Sequence, residues 1–246
     1  MTGTPGGKNR RIDDLGRRGY RIYQDPSRFC FGADAAFLAW FAKAKEGERV
    51  LDLCSGTGIV PILMDARYAC GDYTGLEILS DMAEMANDSA ALNGIAGHMR
   101  FVQGDVKETE ALFGRGSFDV VTINPPYMPA GTGLVNPDDA KAIARHEVLC
   151  TLEDVVKAAS GVLKSGGRLY MVHRPARLPG ILKLMKEYRL APARLCFIHS
   201  YEGKEASMLL LAAVKGGRSL LKVEPPVIVY KEPHVYTEQV RRIYEE

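Results

Sequence analysis

Asn124-Pro125-Pro126-Tyr127 follows directly on the apolar run Phe118–Ile123, which reads as a buried strand. Proline has no N–H and cannot extend a sheet ladder, so this segment ends the strand with its carbonyls free. The side-chain oxygen of Asn124 and the carbonyl of Pro125 then stand as two acceptors in a stiff frame, and Tyr127 adds an aromatic face. Residues of these types in this order can grip both hydrogens of a planar –NH2 group, aim its lone pair, and stack on the ring that carries it. A proline-rich loop would have the same composition, so the weight of the motif rests on its neighbours.

The neighbours are acids placed after successive strands. Val50–Gly58 runs from an apolar strand through Asp52, Cys54, Ser55, Gly56, Thr57 and Gly58 into the helical stretch that begins at Ile59. Gly56 and Gly58 permit a tight turn and close approach of a ligand to the backbone. The pattern departs from the dinucleotide fingerprint, because Asp52 and Ser55 stand at its front and Pro61 falls where a third glycine is required. A carboxylate there repels a pyrophosphate and suits a cationic ligand. Glu77 ends the next apolar stretch at the spacing expected of an acid on a ribose diol. Asp105 follows the strand Met99–Gln103. Three acids and one amine-gripping loop on a common rim describe a pocket for S-adenosylmethionine rather than NAD. Taken singly, Asp52 or Asp105 could equally cap a helix or turn; it is the ordered set that argues for function.

These residues resemble the ordered motifs of class I methyltransferases of the adenine-amine type. Flanking segments narrow the resemblance: Arg11–Leu15, Gln24–Pro26, Phe29–Asp34, Ala144–Glu147 and His173–Pro175 are similar to bacterial tRNA methyltransferases that modify the adenosine beside the anticodon of valine tRNA. The likeness extends from about Arg11 to Lys215. It implies a Rossmann-like seven-stranded α/β sheet, parallel with one antiparallel strand near the C-terminus, S-adenosyl-L-methionine as cofactor, tRNA as partner, and no metal. It also implies roles. Asp52, Ser55, Gly56 and Gly58 form the cofactor loop, with Asp52 toward the ammonium; Glu77 takes the ribose hydroxyls, and Asp105 the adenine amine. Gln24, Phe31 and Asp34 sit over the same pocket. Asn124, Pro125 and Tyr127 carry the chemistry, with Asn124 also beside the cofactor, and Arg11, Arg17, Arg18, Tyr127, Arg145 and His146 are RNA-contact candidates. Arg145-His146-Glu147 could be only a salt-linked helix start, and the basic N-terminal residues only a solvated tail. His173 is left without a role.

The positioning elements can be read from pattern. Strands are expected near 49–53, 73–77, 99–103, 118–123 and 168–173, with helices near 57–67, 80–93, 151–163 and 176–188, an alternation that implies a parallel sheet covered on both faces. Thr151–Asp154 is a capping-box-like helix start. Ala193–His199 and Ser207–Val214 are too close for a crossover helix and must pair antiparallel, which an NAD-type sheet does not require. Ahead of these, Tyr20–Tyr23 is a short strand and Asp34–Lys43 a helix; beyond them, Thr237–Tyr244 is a short terminal helix. The expected division is a flexible basic tail over 1–18, a methyltransferase domain with its lead-in over 19–216, and an extension over 217–246.

Net charge is +2, with seven Lys/Arg against three Asp in residues 1–28, so any phosphate-contacting surface is sought at that end. Five dispersed cysteines (Cys30, Cys54, Cys70, Cys150, Cys196) without a C-x-x-C suggest neither zinc nor a disulfide frame, and Cys54 is expected to be a small filler. No apolar run reaches membrane-spanning length, and a reduced cytoplasmic setting is expected. Competing functions are glutamine side-chain amide methylation, guanine-amine methylation in rRNA, DNA adenine methylation, and an RNA-binding module with a relic cofactor site. The first three would call for a helical substrate domain, a duplicated domain or a Phe in the fourth loop position, and a target-recognition domain, respectively. The intact acids and Asn-Pro-Pro-Tyr segment speak against the relic.

Overall fold

Period-2 alternation along the strands divides the core between the two faces of one sheet. The computed structural model describes residues 9–27, 30–68, 71–125, 150–218 and 220–245. Pro126, Tyr127, Arg145 and His146 therefore lie outside the described residues. Parallel strands β3 (Glu48–Leu53), β4 (Gly71–Glu77), β5 (Met99–Gln103), β6 (Phe118–Ile123) and β7 (Leu163–His173) are joined in the order β7-β6-β3-β4-β5. The antiparallel hairpin β8 (Leu190–His199) and β9 (Ala206–Lys215) continues the sheet, with β9 against β7. This order of seven strands with a reversed penultimate one is the expected class I arrangement. Two short strands, β10 (Lys222–Val223) and β11 (Val227–Ile228), pair parallel with β8 at the edge.

Strands buried on both faces read as continuous apolar runs. Val50, Tyr73, Phe101, Val120, Tyr170 and Val172 pack on one face with helices α1 (Ala33–Phe41), α2 (Ile59–Tyr68) and α3 (Ser80–Leu92). Leu51, Leu53, Leu76, Val121, Ile123, Leu169 and Met171 pack on the other. After the short α4 (Thr109–Phe113), the helices of that second face are α5 (Leu152–Val162) and α6 (Leu178–Glu187). Thr151 caps α5 in a full capping box with Asp154, as its sequence implies.

The N-terminal end departs from expectation, whereas the expected short terminal helix forms at Glu238–Glu245. Residues 11–18, anticipated within a flexible tail, begin with strand β1 (Arg11–Asp14), which pairs with β2 (Arg21–Gln24) in an antiparallel hairpin. Arg10 anchors it to α3 through Asp88 Oδ2 at 2.5 Å. At the other end, the short hairpin β12 (Tyr230–Glu232) and β13 (Val235–Tyr236) leads into α7 (Glu238–Glu245), whose Val240 and Ile243 are buried in the first-face core. The two ends are tied together: Arg17 Nη2 and Arg67 Nη2 both donate to the Ile243 carbonyl, at 3.2 and 2.8 Å. The last turn of a helix leaves carbonyls without intrahelical partners, so two guanidiniums there satisfy an otherwise costly end. Among the described residues no helix is long and apolar enough to cross a membrane.

Candidate cofactor and acceptor site

The strand order reverses between β3 and β6, the crevice where open α/β sheets bind ligands. Every described acid or amide singled out after these strands stands on that rim. Asp52 is near the end of β3, Glu77 at the end of β4, Asp105 just beyond β5 and Asn124 just beyond β6. Register brings the two sides together, since Asp52 is the cross-strand partner of Thr122 and Leu53 that of Ile123. Asn124 is half-buried and Pro125 buried.

Asp52 is 1% exposed, and the Thr122 hydroxyl donates to its Oδ1 at 2.5 Å. Burial pushes its carboxyl up to about 7, further helped by the nearby charge of Glu77; the Thr122 and Ser55 hydroxyls pull the other way. Ser55 Oγ is buried and near Asp52 but makes no aligned hydrogen bond. Thr122 was missed at the sequence level, although it is the one hydroxyl in the apolar run of β6.

The loop from Asp52 to Gly58 is held by its neighbours. Ser55 N–H donates to the Leu76 carbonyl at 3.0 Å and Gly58 N–H to the Ser55 carbonyl at 2.9 Å. Gly56 N–H donates to Glu77 Oε2 at 2.8 Å, while Leu79 N–H donates to Glu77 Oε1 at 3.0 Å. Glu77 is therefore fixed in orientation from both sides, with lone pairs on each oxygen remaining for hydroxyl donors. Gly58 has φ +79°, and a Cβ there would lie 2.5 Å from the Phe101 ring, so a side chain is excluded on both grounds. Cys54 takes a left-handed φ of 58° without being glycine.

Asp105 also has a structural duty, its Oδ1 accepting from Lys107 N–H at 2.9 Å to cap the turn Val106–Glu108. Gln24 is buried and bridges, its Nε2 donating to Asp13 Oδ2 and its Oε1 accepting from Phe31 N–H at 3.1 Å. It thereby ties Phe31 to the N-terminal hairpin. Asp34 lies in the first turn of α1, with its Oδ1 accepting from Ala35 N–H at 2.9 Å. His173 ends β7, beside β6; it is buried, and burial together with Arg177 and Arg174 pushes its imidazole down to about 4. Arg174 N–H donates to its Nδ1 at 2.8 Å, which sets the neutral tautomer with the proton on Nε2.

Of the RNA-contact candidates, Arg17 is corrected: it is 7% exposed, with its guanidinium on the Ile243 carbonyl, inside the protein rather than on a phosphate-facing surface. Arg18 is exposed, and Arg11 is exposed beside Asp13, which accepts from its Nε and Nη2 at 3.2 and 3.0 Å.

A buried acid on β3 and an acid at the end of β4 oriented by two backbone N–H groups are groups able to take an ammonium and a diol, both of which S-adenosylmethionine carries. Fold and site together define a Rossmann-like methyltransferase that uses this cofactor. The methyltransferase domain profile matches residues 44–213, and the chain belongs to that family. It is 30% identical to the tRNA1(Val) (adenine(37)-N6)-methyltransferase of Porphyromonas gingivalis, over 73% of this chain and 72% of that one. It is 26% identical to the enzyme of the same name from Aeromonas hydrophila, over 85% and 86%. Among solved structures, a predicted O-methyltransferase, Atu636 from Agrobacterium tumefaciens, superposes with a TM-score of 0.69 at 27% identity, covering 86% of this chain and 95% of that one.

Proposed function

We propose that the protein transfers the methyl group of S-adenosylmethionine to the exocyclic amine of an adenine in tRNA, beside the anticodon of valine tRNA, with residues 19–216 as the catalytic domain and the cytoplasm as its setting. The observation that carries this reading is the placement of Asn124 and Pro125 directly after β6, whose Thr122 pairs with Asp52 of β3 at the switch point, in a chain whose relatives are named for that reaction.

Asp52, ionised, accepts from the cofactor ammonium, Glu77 from the ribose hydroxyls and Asp105 from the adenine amine. Asp52 and Glu77 are already oriented by Thr122 and by the Gly56 and Leu79 N–H groups. The bound cofactor supplies an electrophilic methyl on a sulfonium. An aryl amine is a weak nucleophile because its lone pair is delocalised into the ring. Asn124 Oδ1 and the Pro125 carbonyl, taking both N–H groups, favour a pyramidal nitrogen and stabilise the charge that develops on it. Tyr127 stacks on the target base and holds it out of its loop. The methylated nitrogen returns its proton to water, so no base is required. Arg11 and Arg18 contact phosphates, with Arg145 and His146 as further RNA contacts.

The test is label transfer from S-adenosylmethionine to unmodified total tRNA, followed by nucleoside mass spectrometry. The reading predicts N(6)-methyladenosine in valine tRNA. A methylated guanosine would keep the mechanism and discard the substrate, and no transfer to any tRNA would discard the reading.

A further inference from the structure

The rim that carries Asn124 continues across the far half of the sheet. β7 runs parallel to β6, β9 antiparallel to β7, and β8 antiparallel to β9, so β6, β7 and β8 all end on one side. Arg174 and Arg177 follow β7, and the turn 201–205 follows β8. β11 pairs Ile228 with His199 in parallel, and Tyr230 N–H donates to the Ser200 carbonyl at 2.9 Å, so the β12–β13 hairpin stands on the same rim. At roughly 4.8 Å between neighbouring strands, the end of β8 lies about 14 Å from that of β6, across β7 and β9.

The outer part of this rim is a stack of rings. Tyr201 lies 5.6 Å from Tyr230, and Tyr230 stacks on Tyr236 at 5.3 Å and 13°. Tyr236 lies 5.6 Å from Tyr244, which is 6.3 Å from the fully buried Phe37. The Tyr230–Tyr236 pair fastens its own hairpin. Tyr201 comes from a different turn and closes the outer end of the stack, with Tyr230 as its one ring neighbour among the described residues. A ring braced in this way loses little freedom when a further ring stacks on it.

The inner part is positively charged. Residues 173–186 hold four Lys/Arg and no acid. Arg174 Nη1 donates to the Ser207 carbonyl at 3.1 Å, which steadies its guanidinium between β7 and β9, and Arg177 is exposed ahead of α6. Both charges act on His173, helping to hold its imidazole low, so their fields converge at the end of β7 beside the acceptor strand. Farther out, Lys204 and Lys231 are offset by Glu202, Glu205 and Glu232. Cations therefore gather near the acceptor motif, and rings dominate beyond them.

We propose that this rim docks a single-stranded stretch of the RNA substrate: an unpaired base stacks on Tyr201, and a phosphate between it and the target base lies on Arg177 within the field of Arg174. A cationic patch alone would serve any polyanion. Rings beside cations favour unpaired nucleotides, because a base held in a duplex has its faces already stacked. The inference rests on tRNA being the substrate, and the experiment separates the two.

The full-length protein is assayed with an unmodified valine tRNA transcript. Its KM, its affinity over a range of salt concentrations and the affinity for S-adenosylmethionine are measured for wild type, Tyr201→Ala, Tyr201→Phe and Arg177→Ala. Tyr201→Ala should weaken tRNA affinity and raise KM by roughly tenfold, and Tyr201→Phe, which keeps the ring, should restore both. Arg177→Ala should lower the slope of log affinity against log salt by about 0.7, whereas Tyr201→Ala should leave that slope as it is. Cofactor affinity equal to wild type shows that each variant is folded with its pocket intact. Unchanged tRNA affinity in Tyr201→Ala, or a loss that Tyr201→Phe does not restore, overturns the stacking contact. An unchanged slope in Arg177→Ala overturns the phosphate contact. A wrong substrate has a different signature, in which wild type itself neither binds nor methylates the transcript.

Discussion

The Thr122 hydroxyl donates to Asp52 Oδ1 at 2.5 Å, joining β6 to β3 across the point where the strand order reverses. This bond links the strand that presents the acceptor motif to the strand that presents the cofactor loop. It also works against the burial that otherwise keeps Asp52 protonated. A cationic ligand binds the ionised form, so cofactor affinity is expected to rise as pH climbs through about 7 and to level off above it. Binding near or below that pH should release protons, measurable by calorimetry in buffers of different ionisation enthalpy. Thr122→Val removes a hydrogen bond to a charged group, an effect of about 1.5–3 kcal/mol. It should weaken affinity by roughly tenfold or more near neutrality and move the pH dependence upward.

Asn124→Ala removes an acceptor placed at the reacting amine. Loss of one such preorganised group typically costs about 10²–10³ in turnover. Transfer in single-turnover assays should fall by that order while equilibrium affinity for S-adenosylmethionine changes by no more than a few-fold. A parallel loss of cofactor affinity would assign Asn124 to cofactor binding instead.

His173 contributes to acid sensitivity. Its folded pKa of about 4 lies below the ordinary imidazole value of 6.5, so the unfolded chain takes up a proton that the folded one refuses. The stability is intact above about 6.5 and declines as pH falls toward 4. The loss from this group is of the order of 3 kcal/mol across that window. Asp52 contributes with the opposite sign in an overlapping window, because its raised pKa favours the folded state at lower pH. The informative comparison is therefore variant against wild type: His173→Asn should lose less stability than wild type between pH 6.5 and 4 in urea titrations.

Arg17 and Arg18 are adjacent and should behave differently. Arg17→Ala unties the hairpin from α7 and leaves a buried carbonyl with one donor fewer, a destabilisation of about 1–3 kcal/mol. It should leave the salt dependence of tRNA binding unchanged. Arg18→Ala should leave thermal stability within about 0.5 kcal/mol and reduce the slope of log affinity against log salt by roughly 0.7–0.9 if it neutralises one phosphate. The opposite assignment of effects would refute the surface described for this end.

Much of the fold was legible because strands buried on both faces, helix caps and proline breaks are local signals. Met99–Gln103 and Phe118–Ile123 have the bounds that their composition implies, and the capping box at Thr151 forms as written. The hairpin of β8 and β9 followed from the shortness of its connection. The N-terminal hairpin was not legible, because Arg11–Asp14 is charged and has no apolar alternation; its pairing with β2 and its anchors on α3 and α7 come from distant residues.

The sequence by itself determined the order of the chemical groups: an acid and two glycines after β3, an acid after β4, an acid after β5, an asparagine and a proline after β6. Types and spacing along a chain are local properties, and alternation dictates that such loops gather on one rim. Only the tertiary structure decided the state of those groups. Asp52 is buried and held by a residue 70 positions away, and Arg17 is satisfied by a carbonyl 226 positions away. Burial and partner identity set protonation, reactivity and exposure, and both depend on which distant segments pack together.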